Sequence, residues 1–190
     1  IKATREVILC SGAFNSPQLL ELSGIGRREV LSQLGIPLVH ELPMVGENLS
    51  EHVYSPIMYK AKPEVSWNRD LNSPLGQAKL AFRWLTRRDG PMSSVTITAQ
   101  AFAPIKPGDK DAELKIQVQQ VTSPGNRGSG KITLDKFDGV TIASFQIRPR
   151  SRGTSHITST DPAADPRMLS QHFTHPDDIT ACLHALKLTR

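Results

Sequence analysis

Cys10-Ser11-Gly12-Ala13 follows a short apolar run, Glu6 to Leu9, and a glycine at that place lets backbone approach a ligand closely because it has no Cβ. In nucleotide-binding α/β domains such turns lie at the carboxyl ends of strands, where cofactors sit. The histidines point to no chemistry of their own. His40, His156, His172, His175 and His184 show no metal spacing such as His-Glu-x-x-His, and no close Ser/His/Asp set accompanies them. No metal site is expected. Gly128-Ser129-Gly130 reads as a turn and not as a phosphate loop, since no Lys-Ser/Thr pair and no helix follows it. Asn48 and His52 close the glycine-containing loop from Pro43 to His52, and the neutral Thr98 and Gln117 lie in runs that read as strands.

The elements that must position these residues can be read from punctuation and periodicity. Glu6 to Leu9 reads as a buried strand ending in the glycine turn. Ser16-Pro17 reads as a helix start, with Ser as N-cap, Pro at the first helical position and Gly24 at the end. Arg28 to Leu34 reads as a second short helix closed by Gly35. After His52 the character changes. Tyr54 to Ala61, Val95 to Phe102, Leu114 to Val121, Thr141 to Ile147 and Gly153 to Ser159 read as strands. Leu71 to Arg88 is patterned as one amphipathic helix closed by Asp89-Gly90-Pro91. A final helix opens at His175-Pro176-Asp177-Asp178, whose two acids suit the positive N-terminal dipole, and Ile179, Leu183 and Leu186 follow its apolar face. The expectation is α+β: a piece of an α/β domain over residues 1–52, then a mostly antiparallel sheet flanked by helices over 53–190.

Composition narrows the function classes. With 38% hydrophobic residues in 190, the chain has apolar content enough for a packed core and too much for obligate disorder. No window holds the ~18 consecutive apolar residues of a spanning helix, so no membrane partner is expected. The net charge of +5 is spread along the chain, and aromatics are only 5%, which is not the basic, base-stacking surface of a nucleic-acid binder. Two cysteines, Cys10 and Cys182, are too few for a disulfide framework and read as core thiols. The chain opens without a Met and inside a predicted strand, which suggests a fragment.

The stretch Gly12-Ala13-Phe14-Asn15-Ser16-Pro17-Gln18-Leu19-Leu20-Glu21-Leu22-Ser23-Gly24-Ile25-Gly26 resembles the second signature of the glucose–methanol–choline (GMC) flavin oxidoreductases: a small pair, Ser-Pro two residues on, two aliphatics, then Ser-Gly-aliphatic-Gly. The resemblance continues in register through Leu34-Gly35-Ile36-Pro37 and Leu42 to His52, departing at Met44, where Gly is usual, and at Glu51, where Asp is usual. Arg150 to Thr154, Thr160-Asp161-Pro162, Asp165-Pro166-Arg167 and His175 to Asp178 resemble later segments of the family, and the match is weakest from Lys62 to Gly139.

That resemblance implies an FAD-binding, Rossmann-like piece at 1–52 and a substrate-binding domain at 53–190, incomplete at its C-terminus. It implies Ser11, Gly12 and Ala13 beside the FAD, with Asn48 and His52 in the loop that covers the flavin. It also implies Thr98 and Gln117 on the substrate side, at positions where some members carry an acid or a histidine. Their neutrality favours a neutral alcohol or sugar-like small molecule over a cation. The reaction implied is oxidation of a CH–OH group with hydride transfer to flavin N5, by a catalytic His expected beyond Arg190. The fragment alone is therefore expected to be inactive. The other readings are a non-catalytic scaffold, or a lyase or cyclase that uses the same pocket without redox chemistry. The resemblance is compatible with secretion, and the chain itself carries no address.

Overall fold

The computed structural model describes residues 2–93, 97–106, 108–125 and 133–190. Along the chain run α1 (Gly12–Leu22), β1 (Ile25–Gly26), α2 (Arg28–Gln33), β2 (His40–Glu41), β3 (Ser55–Lys60), α3 (Asn68–Asn72), α4 (Pro74–Arg87), β4 (Ile97–Ala103), β5 (Leu114–Gln119), β6 (Gly139–Gln146), β7 (Thr154–His156), β8 (Arg167–Leu169) and α5 (Pro176–Thr189). Two compact units result: Ile1–Glu51 with Pro149–Asp178, and His52–Arg148 with Ile179–Arg190. A single boundary at residue 52 does not describe this division. The chain returns to the first unit after Arg148 because the buried Glu21 carboxylate takes its donors from His156 and Ile157. The Gly128 to Gly130 turn lies outside the described residues.

In the first unit, α1 begins at Gly12 with Ser11 at the N-cap position, and not at Pro17 with Ser16 as N-cap as expected, so that Pro17 lies inside it. A proline there removes one hydrogen bond, to the Ala13 carbonyl, and Ser16 Oγ instead accepts from Ser11 N at 3.2 Å. Among the described residues the expected strand from Glu6 to Leu9 forms no ladder. A lone strand has no neighbour for its N–H and C=O groups, and Val7 and Ile8 are each 75% exposed. Cys10, expected in the core, is exposed for the same reason. Gly24 follows α1 with φ 81°, β1 and β2 pair in parallel, and Leu31 of α2 is fully buried. β7 and β8 pair antiparallel.

In the second unit four antiparallel strands lie in the order β3-β6-β5-β4. The register sets Lys115 opposite Phe102 and Phe145, and Gln117 opposite Gln100 and Ala143. Alternate side chains leave opposite faces of a strand, so one face carries Leu114, Ile116 and Val118 and the other Lys115, Gln117 and Gln119. Leu114 packs with Ala181 and Ala185 of α5, and with Ala103 and Ile105. This corrects the expected helix face. Small residues let α5 approach the sheet closely, so Ala181 and Ala185 are buried while Ile179 and Leu183 are exposed. The helix expected from Leu71 to Arg88 is broken at Ser73, whose Oγ accepts from Gly76 N at 3.0 Å ahead of Pro74. Asn68, fully buried, ties α3 to the chain after β5: Nδ2 donates to Thr122 O and Asp135 O, and Oδ1 accepts from Thr122 N at 2.9 Å. Among the described residues no helix is long and apolar enough to cross a membrane.

Asp178 does more than complement a helix dipole. It is 4% exposed and accepts from Arg150 N (2.8 Å), Ser151 N (2.7 Å) and Ser151 Oγ (2.6 Å). Burial pushes its pKa up, but the hydrogen bonds from Arg150 and Ser151 outweigh it, and the carboxyl is held below the usual range. A depressed folded-state pKa contributes stability that is present above the unfolded value, about 3.9, and is lost as pH falls through the folded one. Acid titration of unfolding should therefore show Asp178→Asn less stable than wild type near neutrality, with the gap closing below about pH 4. A gap independent of pH would refute the assignment.

Candidate functional site

The first unit contains a cleft of about 320 Å³ between the start of α1 and the loop before residue 52. Ala13 and Pro17 form one wall; Gly46, Asn48, Ser50 and Ser155 lie in the other. Sequence placed Ala13 and Asn48 in one site, and the structure brings them to one cleft. Ser11 and Gly12 adjoin it at the head of α1. Gly12 has φ 80°, and a Cβ built on it would meet nothing within 4 Å, so the helix head is open. The first turn of α1 carries no acidic residue, and Ser11 makes no side-chain cap. Its N–H groups therefore present the positive end of the helix dipole unopposed. Pro17 lacks an N–H, so the Ala13 carbonyl has no donor four residues on. Ser155 is buried, and among the described residues its Oγ has no hydrogen-bond partner.

The loop wall is held by a network that sequence reasoning missed. Leu49 and Gly153 exchange hydrogen bonds at 2.9 and 2.8 Å, and Ser155 N donates to Gly46 O at 2.7 Å. Beneath them, Glu21 is fully buried; its Oε2 accepts from Ile157 N at 2.9 Å, and its Oε1 lies 2.6 Å from His156 Nδ1. His156 Nε2 stands 3.2 Å from Glu47 Oε1, which also meets Arg27 at 2.8 Å. The glycines of the motif make room for this pair. A Cβ on Gly26 would lie 3.2 Å from Glu21 Cγ, and one on Gly46 (φ 78°) would lie 2.6 Å from His156 Nδ1. The only sequence signal was a carboxylate in the middle of an apolar helix face, at Glu21.

His52 belongs to the second unit and does not line the cleft. Its Nε2 lies 2.8 Å from Ile147 O, and its ring stacks on Phe145 with centroids 4.9 Å apart. Gln117 is buried on the sheet face opposite α5. Thr98 is not its neighbour across the strands. The register shifts between Ile97 and Ala99, leaving Thr98 as the extra residue of a bulge, and its Oγ1 donates to Val118 O at 3.4 Å. The Gln117 face also holds a hollow of about 270 Å³ lined by Tyr54, Met58, Gln119, Val121 and Thr141. Gln119 donates from Nε2 to Tyr54 Oη at 2.8 Å. Among the described residues no cluster of His, Cys, Asp or Glu could hold a metal ion.

These features match known proteins. A GMC oxidoreductase family model matches residues 1–54, the part that contains α1 and the loop wall of the cleft. The oxygen-dependent choline dehydrogenase of Chromohalobacter salexigens is 34% identical over 189 residues, covering 100% of this chain and 33% of that protein. That of Paraburkholderia phytofirmans is 35% identical over 197 residues, with the same coverage of 100% and 33%. The chain thus spans about a third of the length of these curated relatives. Among solved structures, Aspergillus oryzae formate oxidase, in a study of FAD modification, superposes with a TM-score of 0.84 at 24% identity, covering 98% of this chain and 36% of that one. An FAD-dependent oxidoreductase from Chaetomium thermophilum superposes at 0.76 and 18% identity, covering 100% and 38%. The signature from Gly12 to Gly26, its continuation to His52, and the helix-plus-antiparallel-sheet fold agree with these matches, and the chain belongs to the GMC oxidoreductase family.

Proposed function

We propose that the protein containing this chain is an FAD-dependent oxidoreductase acting on CH–OH groups of a small neutral or sugar-like alcohol. Residues 1–52 contribute to the flavin site and the sheet of the second unit contributes to the substrate site. The observation that carries the reading is the cleft at the head of α1. Its uncapped N–H groups suit an oxygen-rich, anionic nucleotide, and among the described residues its Ser155 Oγ is buried without a partner, which suits a ligand that donates or accepts a hydrogen bond there. These groups fit FAD. Ser11, Gly12, Ala13 and Asn48 would hold it, and when bound it would accept the hydride from the carbinol carbon. His52 is proposed as a wall of the substrate side, given its place on Phe145.

The substrate class follows from the sheet face. Tyr54, Gln117, Gln119 and Thr141 are neutral donors and acceptors gathered on that face. Such groups orient a hydroxyl by hydrogen bonds while Met58 and Val121 exclude water. The histidines of this chain are assigned no proton-abstracting role: His156 is engaged by Glu21 and Glu47, and His52 by Ile147.

Full-length protein purified under anaerobic conditions should show a flavin absorbance that bleaches on adding a neutral primary alcohol or sugar. Residues 1–190 expressed alone should hold no flavin and turn nothing over. A full-length protein that is colourless after reconstitution with FAD would overturn the proposal.

A further inference from the structure

The Gln117 face also places an ammonium group among aromatic rings. Lys115 Nζ lies 5.9 Å from the centroid of the Phe102 ring and 5.7 Å from that of Phe145. The two phenylalanines are its cross-strand partners, one on β4 and one on β6, so the three side chains form a row across the sheet. His52 extends the row, stacked on Phe145 at an interplanar angle of 26°. Aromatic faces attract cations through the ring quadrupole, and grouped rings of this kind bind quaternary ammonium ligands. Here the chain's own ammonium occupies that place. Among the described residues no carboxylate stands within ion-pair distance of Lys115, and its nearest recorded partners are the two ring faces.

We propose that Lys115 sets the charge preference of this face. It fills the aromatic row that would otherwise take a cationic group, and it repels a second cation brought beside Gln117. Neutral and anionic alcohols are admitted; alcohols bearing a quaternary ammonium are rejected. The proposal rests on the oxidoreductase reading for the word substrate, but the charge preference is a property of the face and can be read by binding alone.

The test uses full-length protein and two isosteric alcohols, choline and its carbon analogue 3,3-dimethylbutan-1-ol, with tetramethylammonium as a non-reacting probe. Wild type should favour the neutral isostere by about 100-fold in kcat/KM, since like charges brought together cost several kcal/mol and each 1.4 kcal/mol is tenfold. It should show no saturable heat with tetramethylammonium in calorimetry. Lys115→Met keeps the apolar stem and removes the charge; it should narrow the preference at least about tenfold and gain tetramethylammonium binding. Lys115→Arg should behave as wild type. Saturable binding of tetramethylammonium by wild type, or an unchanged preference in Lys115→Met, overturns the proposal. If neither alcohol is oxidised, the calorimetry alone decides the role of Lys115, and the oxidoreductase reading is judged separately by the flavin absorbance.

Discussion

Glu21→Ala is expected to destabilise the first unit by about 3 kcal/mol, read as a lowered urea midpoint in the full-length protein. The Glu21 carboxylate is fully buried and is the acceptor for Ile157 N and the partner of His156 Nδ1. Its loss leaves two inward-facing groups without an acceptor, and each such orphan costs about 1–3 kcal/mol. Residues 21 and 156 are 135 positions apart, so the pair closes a long loop, and the substitution should also loosen the 149–178 segment to proteolysis. Glu6→Ala, at an exposed carboxylate, is the control and should stay within about 0.5 kcal/mol of wild type. A Glu21→Ala protein equally close to wild type would show that the network is not what joins these segments.

What could be read from the residues, and what could not, divides along a physical line. Local chemistry was legible. Gly24 and Gly35 do end helices with positive φ, and the four sheet strands lie where the apolar runs placed them. Hydrogen-bond accounting over long distances was not. Ser16-Pro17 carries every local mark of a helix start, yet α1 has its first helical residue at Gly12 and not at Pro17, because a proline there forfeits only one bond. The apolar stripe Ile179-Leu183 is a plausible core face by periodicity, but close approach to Leu114 selects the alanine stripe beside it. The bulge at Thr98 decides which residues face Gln117, and no pattern within β4 announces it. The same holds for Lys115: only the register of three strands sets its charge between Phe102 and Phe145.

The central claim is that the open head of α1 holds a flavin nucleotide, and Ala13→Glu separates that claim from one about folding. Ala13 is exposed and the first turn of α1 has no acid, so a glutamate there opposes no packing and gains about 0.3–1 kcal/mol from the helix dipole. Stability should be unchanged or slightly raised. The same carboxylate stands in the cleft and repels an anionic nucleotide, so FAD affinity should fall at least about tenfold. Ala13→Ser, small and uncharged, should bind as wild type. The decisive measurement is the flavin-to-protein ratio of full-length Ala13→Glu after equilibration with FAD: the account predicts a folded, largely flavin-free protein, and a folded protein carrying one FAD per chain would contradict it.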